Sequence, residues 1–324
     1  MHINPACPIC KNVTWEVLGT RRHARSEMPT LSEYARKRYQ VLFDIWLPGA
    51  TDVEIHSGMC SNCGFVSNLP RPEESDIDAK YRYLHELGQD YGSQEAQEIE
   101  AKRSQALYAA LRRSLPRKGT ILDFGGGDGR LMQAFADRDY RCLLIDYNSS
   151  PRSCVEKIAD TAEGIPAHLA VDGIVCSHVI EHVADPVGTM HRLGRHLKPS
   201  GVMFVEVPME IWRKAPLQEE PVTHINFFTP RSLKHALQEA ELAVKYCRLA
   251  VYLHPSGRFY PAVRALGQRF GKTRKIKGGP EEVRRFLAPS FTARFKRRLS
   301  LRPSPFDLVP RILKRLVRKI QEHR

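Results

Sequence analysis

The sequence predicts an α/β fold built on a doubly wound, mostly parallel, Rossmann-like sheet. The first observation is the stretch ILDFGGGDGR at 121–130, where a short apolar segment leads into four closely spaced glycines and a helix-forming segment follows. Strand, glycine loop and helix in this order form the nucleotide-binding unit of doubly wound sheets. The second observation is that strand-length apolar segments recur along the chain, with turns between them. These segments are 142–146, 171–177, 202–207 and 244–253.

Two cysteine pairs lie in the first part of the chain, Cys7 and Cys10 in CPIC and Cys60 and Cys63 in CSNCG. A C-x2-C turn directs two thiolates at one ion, and four thiolates complete the tetrahedral site of a structural zinc. The 49 residues between the pairs exceed what a minimal zinc ribbon needs. We therefore predict that residues 1–72 form a zinc ribbon with an insertion.

A helix is predicted to begin at Ser93, because Ile99 and Leu107 fall on one face of it. The glycine loop that follows reads D-x-G-x-G-x-G from Asp123 to Gly129. This pattern differs from the G-x-G-x-x-G of dinucleotide sites, and no Lys-Ser/Thr pair follows to make a phosphate-binding P-loop. A carboxylate just ahead of the glycines would repel a pyrophosphate, whereas it suits an ammonium group.

An acid, Asp146, ends the second predicted strand, 17 residues after Gly129. At this position of the fold an acid accepts hydrogen bonds from the two ribose hydroxyls of an adenosine. Together with the loop, Asp146 indicates a ligand in which an adenosine is joined to an amino acid without any phosphate. S-adenosylmethionine has this structure, so the sequence predicts it as the cofactor.

The net charge of +14 is concentrated towards the C-terminal end. Residues 251–324 contain 20 Lys and Arg against 4 Asp and Glu, whereas the first 250 residues contain 30 against 32. In VPRILKRLVRKI, 309–320, aliphatic residues recur at helical spacing opposite basic ones. Such a helix fits an anionic membrane surface; packing on its own domain and nucleic-acid binding are the alternatives. Residues 254–324 are predicted to form a basic helical region.

The sequence also gives an expectation for location. No apolar run approaches the roughly 20 residues that cross a bilayer, and the start MHINPACPIC lacks the apolar core of a signal peptide. We expect a cytoplasmic protein, peripheral on the inner membrane surface if the basic helix binds lipid. In a reducing compartment the cysteines are thiols or metal ligands.

Four ordered motifs, ILDFGGGDG, LLIDYN, DGIVCSHVIEHVADP and GVMFVEVP, resemble those of class I S-adenosylmethionine-dependent methyltransferases. The resemblance covers about residues 95–250 and implies a seven-stranded methyltransferase sheet within 73–253, although a seventh strand is not evident in the sequence. CPIC and MCSNCGFVSNLPRP resemble the zinc ribbon of bacterial members, including sugar C-methyltransferases and other surface-polysaccharide enzymes. HINFFTPRSL, 224–233, resembles a segment over the acceptor pocket of that group.

This resemblance assigns most candidate residues to the cofactor. Asp123 would lie near the methionine amino group, Asp146 would hold the ribose, and Tyr147 would lie against the adenine. Thr161 falls where relatives carry an aspartate that contacts the adenine edge. Ser177 falls at the mouth of the site, after the fourth strand. The loop against the methionine part would be formed by Gly125, Gly127 and Gly129.

Methyl transfer to a hydroxyl or a carbon acid also needs a base, and histidine suits this role near neutral pH. The sugar C-methyltransferases carry it in a segment resembling HINFFTP, which implies His224 here; His178 and His182 are the other candidates. Those enzymes typically have a tyrosine and a glutamate just before that histidine, which this chain lacks, so O-, N- and C-methylation stay open. In ubiquinone-type O-methyltransferases, acids and a histidine in the segment matching Glu181 and His182 hold a metal.

The leading functional expectation is methyl transfer to a sugar or glycan, nucleotide-linked or lipid-linked, in surface-polysaccharide or natural-product biosynthesis. The first alternative is an RNA methyltransferase that uses the basic tail as an electrostatic anchor. The second is a non-catalytic scaffold or regulator that keeps the fold, against which the intact glycine loop and Asp146 argue. The sequence does not define the acceptor or the oligomeric state.

Overall fold

The computed structural model describes residues 5–86, 94–147, 150–212, 217, 220–254, 257–270 and 279–290. Its strands are β1 (Trp15–Ala24), β2 (Asp52–Cys60), β3 (Val66–Leu69), β4 (Thr120–Phe124), β5 (Arg141–Ile145), β6 (Glu156–Ala159), β7 (Val171–Ser177), β8 (Leu197–Pro208), β9 (Asn226–Phe227), β10 (Ala243–Leu253) and β11 (Phe259–Gln268). Its α-helices are α1 (Glu33–Gln40), α2 (Glu74–Glu86), α3 (Gln94–Leu111), α4 (Gln133–Ala136), α5 (Pro186–Gly194), α6 (Pro230–Glu239) and α7 (Pro280–Leu287). Single 3-10 or π turns occupy Arg25–Thr30, Val41–Trp46, Arg130–Met132 and Ala162–Gly164.

The central sheet has seven strands in the order β10-β11-β8-β7-β4-β5-β6. Only β11 runs antiparallel to its neighbours, and the remaining pairings are parallel. The middle strands consist of short aliphatic runs buried on both faces, as expected where helices cover a parallel sheet. This confirms the predicted α/β fold. Since parallel strands end at one edge, the residues after β4, β5 and β7 meet there.

Two strands of the central sheet were not predicted. The sequence analysis assigned residues 254–324 to a basic helical region and found no seventh strand, but β11 lies between β8 and β10 and extends the sheet to Gln268. Its apolar pattern is interrupted by Arg264, which is satisfied inside the sheet by an ion pair with Glu206 of β8. The other, β6, has four residues and only partly buried side chains at the sheet edge, so it carries little periodic signal.

The N-terminal unit is a four-stranded antiparallel sheet in the order β1-β2-β3-β9. Its insertion is a long β1–β2 hairpin whose connection contains α1 and the turn Val41–Trp46. The strand β9 comes from the segment HINFFTP and pairs with β3 through Val66 and Phe227. Strands β1 to β3 therefore share a sheet with a segment that lies more than 150 residues further along the chain. The cysteine turns and the methyltransferase sheet contribute to one buried apolar cluster.

After β11, helix α7 returns to the N-terminal unit. Val283 and Phe286 are buried in the same apolar cluster as Cys63, and Arg284 forms an ion pair with Glu16 of β1 at 2.6 Å. The predicted amphipathic helix at 309–320 lies outside the described residues, and its membrane contact stays a prediction. Among the residues described, no helix is long and apolar enough to cross a membrane.

Candidate functional site

A cavity of about 760 Å³ opens at the carboxyl edge of β4, β5 and β7. This volume is typical of small-molecule sites. The cavity is lined by residues that follow these strands and by residues of α1 and α2. Of the predicted cofactor residues, the lining contains Gly125, Gly127, Asp146, Tyr147 and Thr161.

The glycine loop has a backbone that other residues would adopt only under strain. Gly125, Gly127 and Gly129 have φ of 67°, 64° and 81°, in the left-handed region that favours glycine. At Gly126 a Cβ would lie 2.0 Å from a carboxylate oxygen of Asp123. The loop therefore packs directly against that carboxylate, and the absence of side chains lets a ligand approach the backbone.

Asp123 lies at the end of β4 and is 1% exposed. Neither of its carboxylate oxygens has a hydrogen-bond partner among the described residues. Burial, with the neighbouring charge of Asp146, raises the pKa of Asp123 to about 8. A buried acid without a partner is costly unless a cation or a donor completes it. The chemistry of this position fits the α-ammonium of S-adenosylmethionine.

The end of β5 presents the second acid. Asp146 accepts a hydrogen bond of 2.8 Å from the backbone N–H of Gly127, which ties the loop to the neighbouring strand. The ring of Tyr147 stacks on that of Tyr81, with centroids 5.7 Å apart and planes 10° apart, and its hydroxyl donates to Asp78 at 2.8 Å. A carboxylate beside two stacked aromatic rings is suited to an adenosine.

Ser177 does not line the cavity. Its hydroxyl donates to Glu206 at 3.2 Å, and the same carboxylate pairs with Arg264 and, at 3.4 Å, with Arg103. These charges are buried under the sheet edge, where they satisfy one another. Ser177 belongs to this ion network, and its predicted contact with the cofactor stays a prediction.

His178 does line the cavity, and its backbone is in the left-handed region with φ of 58°. Its Nδ1 lies 3.4 Å from Glu181 and its Nε2 lies 3.5 Å from Glu206. Burial alone would lower the pKa of His178, but the two carboxylates more than offset that effect and raise it to about 9. The ring is therefore protonated at neutral pH and is a poor proton acceptor.

His182 and His224 form a second histidine group, with ring centroids 4.8 Å apart. His182 lines the cavity, and its Nδ1–H donates to the carbonyl of Thr223 at 2.5 Å. Burial and the adjacent His224 hold the pKa of His182 well below its usual range. His224 is not in the lining; its Nδ1 is 2.8 Å from a carboxylate oxygen of the buried Glu210. Burial lowers the pKa of His224, but Glu210 more than offsets this, so the net shift is upward.

The four cysteines Cys7, Cys10, Cys60 and Cys63 come together. The sulfur atoms of Cys7 and Cys63 are 3.6 Å apart, and those of Cys10 and Cys60 are 3.5 Å apart. Sulfurs 2.3 Å from a tetrahedral zinc are about 3.8 Å from one another, so this spacing fits a zinc site. None of the four is in a disulfide. A second group with metal-ligand geometry contains Glu181, His182 and His224.

Residues 91–246 match the family model described as a methyltransferase domain. The matched segment contains the glycine loop and strands β4 to β8 of the central sheet, together with β9 of the N-terminal sheet. The segment has the Rossmann-like fold of class I S-adenosylmethionine-dependent methyltransferases. The predicted family is confirmed at this level, while the likeness of the ribbon to that of sugar C-methyltransferases stays a prediction.

Two curated relatives of the methyltransferase domain are both described as tRNA 5-carboxymethoxyuridine methyltransferase, one from Escherichia coli K12 and one from Escherichia coli O157:H7. Each is 29% identical over 128 residues, which cover 35% of this chain and 49% of the relative. The chain thus spans about half the length of the curated relatives it matches.

Solved structures with a similar domain include an S-adenosylmethionine-dependent methyltransferase of Methanosarcina mazei, 17% identical, with a TM-score of 0.42 over 51% of this chain and 99% of that one. Another is the 1,6-didemethyltoxoflavin-N1-methyltransferase of Burkholderia thailandensis, 18% identical, with a TM-score of 0.42 over 60% of this chain and 87% of that one.

The methyltransferase site contains residues that the sequence analysis missed. Glu210 follows β8 and orients His224, although no local pattern marks it. Tyr34, Lys37 and Arg38 of α1 enter the cavity lining from the insertion between the cysteine pairs. Their proximity depends on how the N-terminal unit packs on the domain, so spacing along the chain gave no signal for it.

Proposed function

We propose that this protein transfers the methyl group of S-adenosylmethionine to an acceptor bound on the histidine side of the cavity. The observation that carries the proposal is the pairing of two acids at the carboxyl edge. Asp123 lies unpartnered under the glycine loop, and Asp146 ends the neighbouring strand within the cavity. The cofactor supplies a methyl group already activated on a sulfonium.

The residues of this chain would then bind and orient the cofactor and the acceptor, and would remove a proton from the acceptor. Gly125 and Gly127 give backbone access along the methionine part, and Tyr147 and Tyr81 flank the adenosine. Alignment of acceptor and cofactor in one cavity supplies the entropic part of the rate gain. We propose His224 as the base, because Glu210 holds its Nδ1 as the donor and leaves Nε2 as the acceptor nitrogen. Charged at neutral pH, His178 would instead help to fix the edge of the site.

Replacing Asp146 by alanine should weaken S-adenosylmethionine binding at least tenfold, because two hydrogen bonds to a carboxylate are lost, each worth about 1.5–3 kcal/mol. Isothermal calorimetry measures the change directly. Asp137→Ala, an exposed acid outside the cavity, is the matched control and should bind as the parent does. An unchanged affinity in Asp146→Ala would refute the cofactor site and with it the proposed activity.

Binding should also depend on pH through Asp123. Its pKa of about 8 lies above the ordinary 3.8, so the acid is mostly protonated at pH 7 and must lose that proton to pair with an ammonium. Affinity should therefore rise from pH 6 to pH 7.5, by up to about tenfold per unit. Calorimetry in buffers of different ionisation enthalpy should detect proton release on binding. Asp123→Asn should bind weakly with no such dependence; a pH-independent wild type would contradict this role.

For the acceptor, we propose a nucleotide-linked sugar or related glycan precursor. Support comes from the HINFFTP segment, which resembles the acceptor-side segment of the sugar group. Its residues Asn226 and Phe227 form β9 on the ribbon sheet, and its histidine adjoins the cavity residue His182. An acceptor of this size also suits a cavity that has an inserted helix as one of its walls.

RNA is the second candidate acceptor, favoured by the match to two tRNA methyltransferases. The high density of Lys and Arg in residues 251–324 agrees with it. Incubation with radiolabelled S-adenosylmethionine separates the candidates: label should appear in nucleotide sugars but not in unmodified tRNA. Label in tRNA, lost at high salt, would assign the protein to RNA instead.

A further inference from the structure

The insertion between the cysteine pairs supplies one wall of the cavity. Helix α1 contributes Tyr34, Lys37 and Arg38 to the lining. The helix is tied to the segment next to the proposed base: Tyr34 Oη lies 3.1 Å from Thr223 Oγ1, and Arg38 Nε donates to the same oxygen at 3.2 Å. Thr223 directly precedes His224. These hydrogen bonds therefore fix the position of α1 relative to His224.

The cationic side chains of the lining differ in how their charge is used. Arg192 is paired with Glu74 at 3.2 Å and with Glu163 at 3.3 Å, and Lys37 is paired with Glu33 at 2.8 Å. Arg38 has no carboxylate within ion-pair distance among the described residues. Its guanidinium stacks on the ring of Tyr34, 3.4 Å from the centroid, an arrangement that fixes the plane of the fork.

The acids of the cavity are engaged elsewhere. Asp146 accepts from the glycine loop, Asp78 accepts from Tyr147, and Asp160 pairs with Lys157. Glu220 lies near α1 but accepts hydrogen bonds from Thr223. On the α1 side the lining contains Lys37 and Arg38 against one acid, Glu33, whereas the adenosine end contains Asp78, Asp146 and Asp160.

We propose that Arg38, assisted by Lys37, binds a phosphoryl group of the acceptor and so selects a nucleoside-diphosphate-linked substrate. This inference rests on the proposed function and specifies its substrate class. The Nε of Arg38 is bonded to Thr223, and its Nη1 donates to the carbonyl of Tyr34 at 3.2 Å. The Nη1 and Nη2 edge of a planar guanidinium presents two N–H donors that match two oxygens of a phosphate. Lys37 lies one residue away on the same helix. It adds a second positive charge, which matches the negative charge of the second phosphate in a diphosphate.

The test uses the full chain saturated with S-adenosylhomocysteine and probed by calorimetry with UDP and with inorganic pyrophosphate. Both should bind. Arg38→Gln should weaken them at least tenfold and Lys37→Gln several-fold, with S-adenosylhomocysteine affinity unchanged in each. The matched control is Arg36→Gln, on the same helix but exposed and outside the lining, which should bind both probes within twofold of the parent.

Each other outcome overturns the inference. Equal losses in Arg36→Gln and Arg38→Gln would mean general electrostatic attraction. Absence of UDP and pyrophosphate binding to the loaded wild type would remove the phosphoryl site, and binding of a short single-stranded RNA in their place would identify a polymer as the occupant. Should Arg38→Gln fold poorly, Lys37→Gln still decides, because among the described residues the Lys37 side chain forms an ion pair with Glu33 alone. Failure here with cofactor binding intact leaves the proposed methyl transfer standing.

Discussion

Turnover is expected to fall by about 10²–10⁴-fold when His224 is replaced by asparagine, the usual contribution of a general base. Asparagine keeps a polar side chain of similar shape but accepts no proton near neutral pH. Affinity for S-adenosylmethionine should change little, because His224 lies outside the cavity lining. Single-turnover assays with an accepted substrate measure the rate, and calorimetry measures the affinity.

The pH–rate profile distinguishes His224 from the other histidines. A base must be neutral, so the rate falls as pH drops through its pKa. Glu210 raises the pKa of His224; Glu210→Gln should therefore move this acid limb to lower pH. A limb near pH 9 would instead implicate His178, whose pKa is raised to about 9. A limb that stays in place in Glu210→Gln and vanishes in His182→Asn would transfer the role to His182. His224→Asn within a few-fold of wild type would exclude His224.

Local sequence predicted the cofactor edge of the fold well. The strand at 121–124, the glycines and the strand at 171–177 agree with β4, its loop and β7, because each depends on neighbouring residues only. Aliphatic runs form buried parallel strands, and glycine is needed where φ is positive, as it is at Gly125. Asp146 could be predicted for the same reason, since its position at the end of β5 follows from the strand itself.

Contacts between distant segments were not predictable from one sequence. In the sequence, Arg264 interrupts the apolar pattern of β11. In the structure it forms an ion pair with Glu206 of β8. Helix α1 appeared only as an insertion of unknown role, although it forms a wall of the cavity. Ser177 was placed by its strand end, and the hydrogen bond of its side chain to Glu206 in the buried ion network was not foreseen. In each case the deciding partner is more than 25 residues away in the chain.

The predicted zinc site lies where segments from distant parts of the chain meet. The Cys60–Cys63 turn connects β2 to β3, which pairs with β9, and the Cys7–Cys10 turn precedes β1 of the same sheet. Gly64, just after Cys63, is so close to Gly279 that a Cβ would lie 2.3 Å from the Gly279 carbonyl carbon. A structural zinc in such a site contributes folding free energy, with apparent binding values of about 10–16 kcal/mol in zinc-finger peptides. The ion would therefore hold together α7, the ribbon and the HINFFTP segment that contains His224.

Purified protein should contain about one zinc per chain, all of it bound by four thiolates. Cys60→Ser should lose most of the metal and unfold at a lower temperature, because one ligand is replaced by a weak one and the ribbon loses its closure. Methyl transfer should fall with it, since β9 leads directly from His224 into the ribbon sheet. Cys154→Ser, a half-buried cysteine outside the cluster, is the matched control and should retain metal, stability and turnover. A Cys60→Ser variant with full zinc content and an unchanged melting temperature would show that these cysteines hold no structural ion.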